Sequence, residues 1–252
     1  MRGLLFLCAL LLVGQENASA QKQISTQTHG WVMYFGNHRL SEQWGIHTEY
    51  QWRRSDLFND WQQSLLRLGV DYYTKQNAQF TAGYGWIRSY KYGEQPIIHN
   101  FNEHRIWEQF IVKNKLGRVE LNHRYRLEQR FMDQWVQQMD VSILRNGYAF
   151  RQRLRYRFLI TVPLSKKELS DNTLFASVYD EPFLGFGKGI GKNILDQNRL
   201  YAALGWRFNK DFNVQLGYLN QIIVKTDGVK MERNHTLQIG ITYNLDLQKR
   251  QD

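Results

Sequence analysis

The sequence predicts an all-β fold, a transmembrane antiparallel up-and-down β-barrel of about 10–12 strands, and three observations predict it. The first is the run from Tyr148 to Thr161, where Tyr148, Phe150, Gln152, Leu154, Tyr156, Phe158 and Ile160 alternate with Ala149, Arg151, Arg153, Arg155, Arg157, Leu159 and Thr161. A period of two gives a strand one aromatic and aliphatic face and one arginine ladder. Four like charges spaced about 7 Å apart repel one another and need water, carboxylates or an anion beside them. Hydrocarbon outside and a polar lumen inside supply that setting. The second observation is that alternating segments follow one another along the chain, many of about ten to thirteen residues, the length of a tilted membrane crossing. The third is compositional: no window after residue 20 has the roughly eighteen apolar residues of a membrane helix, and only three prolines interrupt the chain. A mean hydropathy of −0.56 suits a barrel, because only every second residue faces lipid.

At the amino end, Arg2 precedes the apolar run Leu4 to Val13, and Ala18-Ser19-Ala20 offers a cleavage site before Gln21. Residues 1–20 therefore read as a signal peptide and residues 21–252 as a single barrel domain. Cys8 lies inside the apolar run, out of place for a lipoprotein, and is the sole cysteine, so the mature chain is expected to have no disulfide. Cleavage removes one basic and one acidic residue, and the net charge stays at +10. In an exported chain that charge points to lipopolysaccharide, membrane lipid or small anionic solutes as partners, not to nucleic acid. The expected location is the outer membrane of a Gram-negative cell.

The elements follow in order. Thr28–Asn37 is strand-like with unclear facing, since Trp31, Met33 and Phe35 oppose Val32 and Tyr34. Ser41–Arg53 sets Trp44, Ile46, Thr48, Tyr50 and Trp52 against His47, Glu49, Gln51 and Arg53. Trp61–Tyr73 sets Leu66, Leu68, Val70 and Tyr72 against Arg67, Gly69 and Asp71, and Phe80, Ala82, Tyr84 and Trp86 oppose Thr81, Gly83 and Gly85. His104–Val112 comes next, then Val119–Phe131, where Glu120, Arg124, Arg126, Glu128 and Arg130 share a face. After the arginine ladder come a short strand near Leu174–Tyr179, then Arg199–Phe208, Phe212–Val224 and Thr236–Leu247. Eleven strands can be read, and bacterial barrels are normally even-numbered, so ten or twelve are expected.

Short links at 37–40, 74–78, 114–117 and 209–211 alternate with longer ones at 91–100, 132–147, 181–198 and 225–233, the rhythm of periplasmic turns and outer loops. Counting from the first short link puts the amino end outside, which suggests a miscounted strand within residues 21–60. Strict alternation also turns Glu108 towards lipid, where an unpaired carboxylate is disfavoured; a β-bulge would turn it inward.

Alternation alone does not choose between a lipid face and a core. A lipocalin-like barrel has too little interior for the large apolar residues, whereas a soluble periplasmic β-sandwich binding protein could bury them. Strand length, and aromatic residues near strand ends such as Trp44, Trp52, Tyr72, Trp86 and Trp206, favour the membrane. The inward face then carries an ionic network of Arg105, Glu120, Arg124, Arg126, Glu128, Arg130, Arg151, Arg153, Arg155, Arg157, Arg199 and Arg207, beside Arg53, Arg67, Glu49, Asp71 and Glu103. Arginine dominates this set, as suits forked pairing with carboxylate or phosphate.

Paired Arg-x-x-Glu-Gln-like segments, Gly83-Tyr84-Gly85, Tyr179-Asp180-Glu181-Pro182-Phe183, and Gln197-Asn198-Arg199-Leu200-Tyr201 followed by Gly205-Trp206-Arg207-Phe208 carry a family likeness. The chain resembles an uncharacterised bacterial family of exported, outer-membrane-barrel-like proteins described as a domain of unknown function. The resemblance implies the fold and no activity, ligand or active site.

Two functional readings rest on the Arg/Glu face: a structural barrel rigidified by its ion pairs, or a narrow, porin-like, anion-preferring pore. The alternative is a lipid-modifying enzyme using His104 or His123. However, no Gly-x-Ser-x-Gly elbow is present, and Ser64 and Ser142 have no evident base, so no catalytic residue is assigned and the protein is not expected to be an enzyme. His47 with Glu49, and Glu232 with His235, are too few for a metal site. The glycines from Gly185 to Gly191 lack the Lys-Ser/Thr of a phosphate loop, so no cofactor is expected.

Overall fold

The computed structural model describes residues 22–93, 97–138, 143–191 and 193–248, so the segment read as an export signal lies outside the described residues. Eleven strands form one closed barrel: β1 Gln23–Arg39, β2 Trp44–Ser55, β3 Asp60–Tyr73, β4 Ala78–Ser89, β5 Phe101–Leu116, β6 Val119–Gln137, β7 Ile143–Pro163, β8 Thr173–Phe186, β9 Leu195–Arg207, β10 Phe212–Val224 and β11 Lys230–Tyr243. A single sheet closed on itself replaces the sandwich alternative.

Consecutive strands pair antiparallel, while β1 and β11 pair in parallel from Gln23 opposite Lys230 to Phe35 opposite Thr242. Parallel closure follows from parity: an odd number of strands running alternately up and down must meet itself once in the same direction. The even count expected from the sequence is thus corrected to eleven. Odd parity also explains the amino end. β1 starts at the mouth where β2, β4, β6, β8 and β10 end, and β11 ends at the opposite mouth, with no further strand between residues 22 and 60.

Side chains alternate across the wall as the period of two requires. Leu66, Leu68, Val70, Phe80, Tyr84, Ile106, Tyr125, Phe150, Leu154, Leu200, Leu204 and Leu216 are exposed on the outside. Exposed aromatic residues mark the strand ends, with Trp44, Tyr72, Trp206 and Tyr243 near one mouth and Trp61 and Trp86 near the other. Inside, Arg67, Arg105, Arg126, Arg153 and Arg155 are buried together with Glu49, Glu103, Glu128 and Glu181.

Several elements depart from the sequence reading. β1 turns Trp31 and Met33 inward, into a cluster with Tyr179, Tyr201 and Leu219. β8 continues through Pro182 to Phe186. Proline has no N–H for the ladder, and the β7–β8 register has no paired partners between Arg155–Phe183 and Phe158–Asp180, next to this residue. β6 and β7 run into the region read as a loop, reaching Gln137 and starting at Ile143. The β5–β6 register runs without a shift, so Glu108 stays outside, where the Gln129 amide donates to it at 3.1 Å. The link read at 114–117 is a two-residue turn at 117–118, and Gly117 supplies the positive φ of 59° that this tight hairpin needs.

Candidate functional site

Facing glycines make room for the interior side chains. Gly69 and Gly83 are cross-strand partners, and a Cβ added to Gly83 would lie 2.8 Å from the Trp107 ring. Trp107 is fully buried in this notch, with the Arg126 guanidinium 4.8 Å from its ring centre. Gly85 leaves space for Arg67 in the same way, a Cβ there falling 3.1 Å from Arg67 Cγ.

Glu128 is the hub of the interior. Its carboxylate accepts from Arg153 at 2.6 and 3.0 Å, from Arg155 at 2.8 Å, and from Arg67 and Arg105 at 3.2 Å each. Those four guanidiniums come from β3, β5 and β7, so one carboxylate ties distant parts of the wall together. Three more carboxylates extend the layer. Glu181 takes Arg124 at 2.5 Å and Arg155 at 2.8 Å; Glu103 takes Arg105 at 2.5 Å and Arg130 at 2.8 Å; Glu49 takes Arg67 at 2.5 Å, with Arg126 at 3.8 Å. Arg126 also donates to Gln109 at 2.6 Å, and Arg153 reaches Asp196 at 2.6 Å. The exposure of Glu49, Glu103, Glu128 and Glu181 is 2% or less, so these carboxylates are shielded from solvent. A guanidinium whose charge is neutralised by a bidentate or shared carboxylate offsets part of the cost of leaving water.

The layer divides the lumen. On the side of the amino-terminal mouth lies a cavity of about 230 Å³ bordered by Trp31, Arg53, Arg130, Arg199 and Lys225. Tyr92, in the link between β4 and β5, packs edge-on against His29 of β1 there, with ring centres 5.4 Å apart. Towards the other mouth lies a larger cavity of about 730 Å³, with an apolar wall of Met33, Phe35, Leu159 and Phe175 and basic groups from Lys113, Arg157 and Arg207.

Of the residues predicted from sequence, Arg105, Arg124, Arg126, Glu128, Arg130, Arg153 and Arg155 meet in the layer. Glu120 does not: it sits near the start of β6 with Lys115 at 3.9 Å. Arg207 lies at the end of β9 and donates to the backbone oxygens of Leu169 and Asn209. Arg151 lies by the rim near Asp196, beyond ion-pair distance. Arg157 and Arg199 face the two cavities, each with a buried Nε that has no hydrogen-bond partner among the described residues. Two acids of the network, Glu181 and Asp196, fall on β8 and β9, within the stretch 181–198 that the sequence reads as a link. The alternation of Tyr179, Glu181 and Phe183 was the available signal, and Pro182 concealed it.

The histidines weighed for catalysis pair with tyrosines on the outer wall: His104 with the Tyr84 hydroxyl and His123 with the Tyr156 hydroxyl at 2.9 Å. The Ser64 hydroxyl bonds Tyr50, and Ser142 lies outside the described residues. Among the described residues, no three His, Cys, Asp or Glu side chains stand close enough to hold a metal ion.

Fold and site define a closed β-barrel filled at mid-height by a buried Arg/Glu network. The chain belongs to the family described as Protein of unknown function (DUF2490), whose match spans residues 28–232. No curated protein and no solved structure matches it.

Proposed function

We propose that the protein is an outer-membrane β-barrel whose lumen is sealed by its own ion pairs, a structural barrel and not an open pore. The observation that carries this reading is Glu128, fully buried and held by four guanidiniums from three strands. An open channel would leave such groups in water. The apolar outer wall with aromatic residues towards both rims supports contact with membrane lipid and lipopolysaccharide, because a water-facing wall of exposed leucine, valine and aromatic rows would favour aggregation. The proposal assigns no catalytic step to the barrel.

Planar-bilayer recording on the reconstituted full-length mature chain tests it, with insertion checked by heat-modifiable gel mobility. The sealed barrel gives no steady conductance. A persistent conductance would overturn the seal, and chloride preference in a salt gradient would identify the narrow anion pore, since arginine outnumbers carboxylate on the inner face.

A further inference from the structure

The cavity near the amino-terminal mouth has an electrostatic deficit. Arg53 and Arg199 are 8% and 7% exposed, and neither has a carboxylate within ion-pair distance among the described residues. Both guanidiniums approach one ring: Arg53 lies 4.1 Å and Arg199 5.2 Å from the centre of Trp31, which is itself 1% exposed. Arg53 donates only to neutral amides, to Gln51 and to Gln63 at 2.7 Å. Arg199 makes no hydrogen bond among the described residues, its Nε is buried without a partner, and its remaining support is the Phe183 ring at 4.9 Å. A buried charge without a counter-charge is costly, and two that repel each other are costlier. The carboxylates nearest to them are committed elsewhere: Glu49, on the Arg53 side, to Arg67, and Glu181, on the Arg199 side, to Arg124 and Arg155.

We infer that the approximately 230 Å³ cavity beside Trp31 is a binding site for a tetrahedral oxyanion of the phosphate type, gripped between Arg53 and Arg199. Two forked donors converging from β2 and β9 suit an acceptor with oxygens on several sides, and a planar carboxylate would use fewer of the free N–H groups. Trp31 positions both guanidiniums by stacking and is locked in turn by its Nε1–H bond to Gln62 at 2.7 Å. The site lies inside the barrel, so it stands whether or not the outer wall meets lipid. Its ligand is either a free phosphate or a phosphate headgroup entering from the mouth.

The test uses the full-length mature chain in a neutral detergent, with inorganic phosphate in one arm and phosphatidic acid doped into the micelles in the other. Calorimetric titration is expected to show saturable binding in at least one arm, and the arm that binds identifies the source. Arg199→Gln and Arg53→Gln weaken it by at least about tenfold, while Arg207→Gln, at the opposite mouth, leaves it unchanged. Trp31 gives an independent reading in protein with both arginines intact. Binding alters tryptophan emission, and Trp31→Phe removes that change while heat release persists. Absence of binding in both arms, or wild-type affinity in both arginine variants, overturns the site.

Discussion

The two halves of the lumen share one wall and are filled in opposite ways. At mid-height, and leaving only about 230 Å³ towards the amino-terminal mouth, long arginines from β3, β5, β6 and β7 reach across and are neutralised by Glu49, Glu103, Glu128 and Glu181. Towards the other mouth, β5, β6 and β7 present Ile111, Asn122, Leu159 and Thr161 beside Lys113 and Arg157, which have no carboxylate within ion-pair distance among the described residues, and a cavity of about 730 Å³ remains. Barrel closure therefore does not decide whether a lumen is open. The reach and charge of the inward residues at each level decide it.

The largest expected effect breaks the filled half. Glu128→Leu leaves Arg67, Arg105, Arg153 and Arg155 facing one another without their shared carboxylate, and stability falls by about 3–5 kcal/mol, as for a broken buried ion pair. Denaturant titration in detergent, read as the loss of the heat-resistant compact band, measures it. A smaller loss is expected on the open side. Phe35 is only half-buried beside the cavity, so Phe35→Ala costs about 1–2 kcal/mol in the same titration. A Phe35 loss equal to that of Glu128 would show that both halves are equally packed. The smallest effect has the opposite sign: Glu108 is exposed on the outer wall with only the Gln129 amide against it, and Glu108→Leu raises stability in lipid by about 1 kcal/mol. No gain in lipid would argue that Glu108 meets water.

The polar face of the wall was legible in the sequence; the division of the lumen into two halves was not. The ladder of β7 fixed which side of the wall was polar, because Arg153 and Arg155 alternate with Tyr148, Phe150 and Leu154, and Val119–Phe131 announced Glu128 as its neighbour. Phe212–Val224 was bounded as the structure has it. Elsewhere the periodic signal failed for physical reasons. Trp31, Met33 and Phe35 point inward, so aromatic character on β1 marks the core and not the outer face. Pro182 interrupts the hydrogen-bond ladder of β8 without ending it, which hid Glu181 from the network. Parallel closure of β1 on β11 depends on the parity of the whole strand set, which no single segment records. The larger cavity likewise follows from register around the barrel, since it joins residues as distant as Met33 and Asn213.

The direction in which the two faces point is most directly measured by tryptophan quenching with lipids brominated in their acyl chains. Two proteins are compared, each keeping one tryptophan with the others replaced by phenylalanine: one keeps Trp86, which is 40% exposed on the outer wall, and the other Trp107, which is fully buried inside. The account predicts strong quenching of Trp86 and almost none of Trp107. Equal insensitivity of both, in protein confirmed as folded, would contradict it, because the outer wall would then have no contact with hydrocarbon.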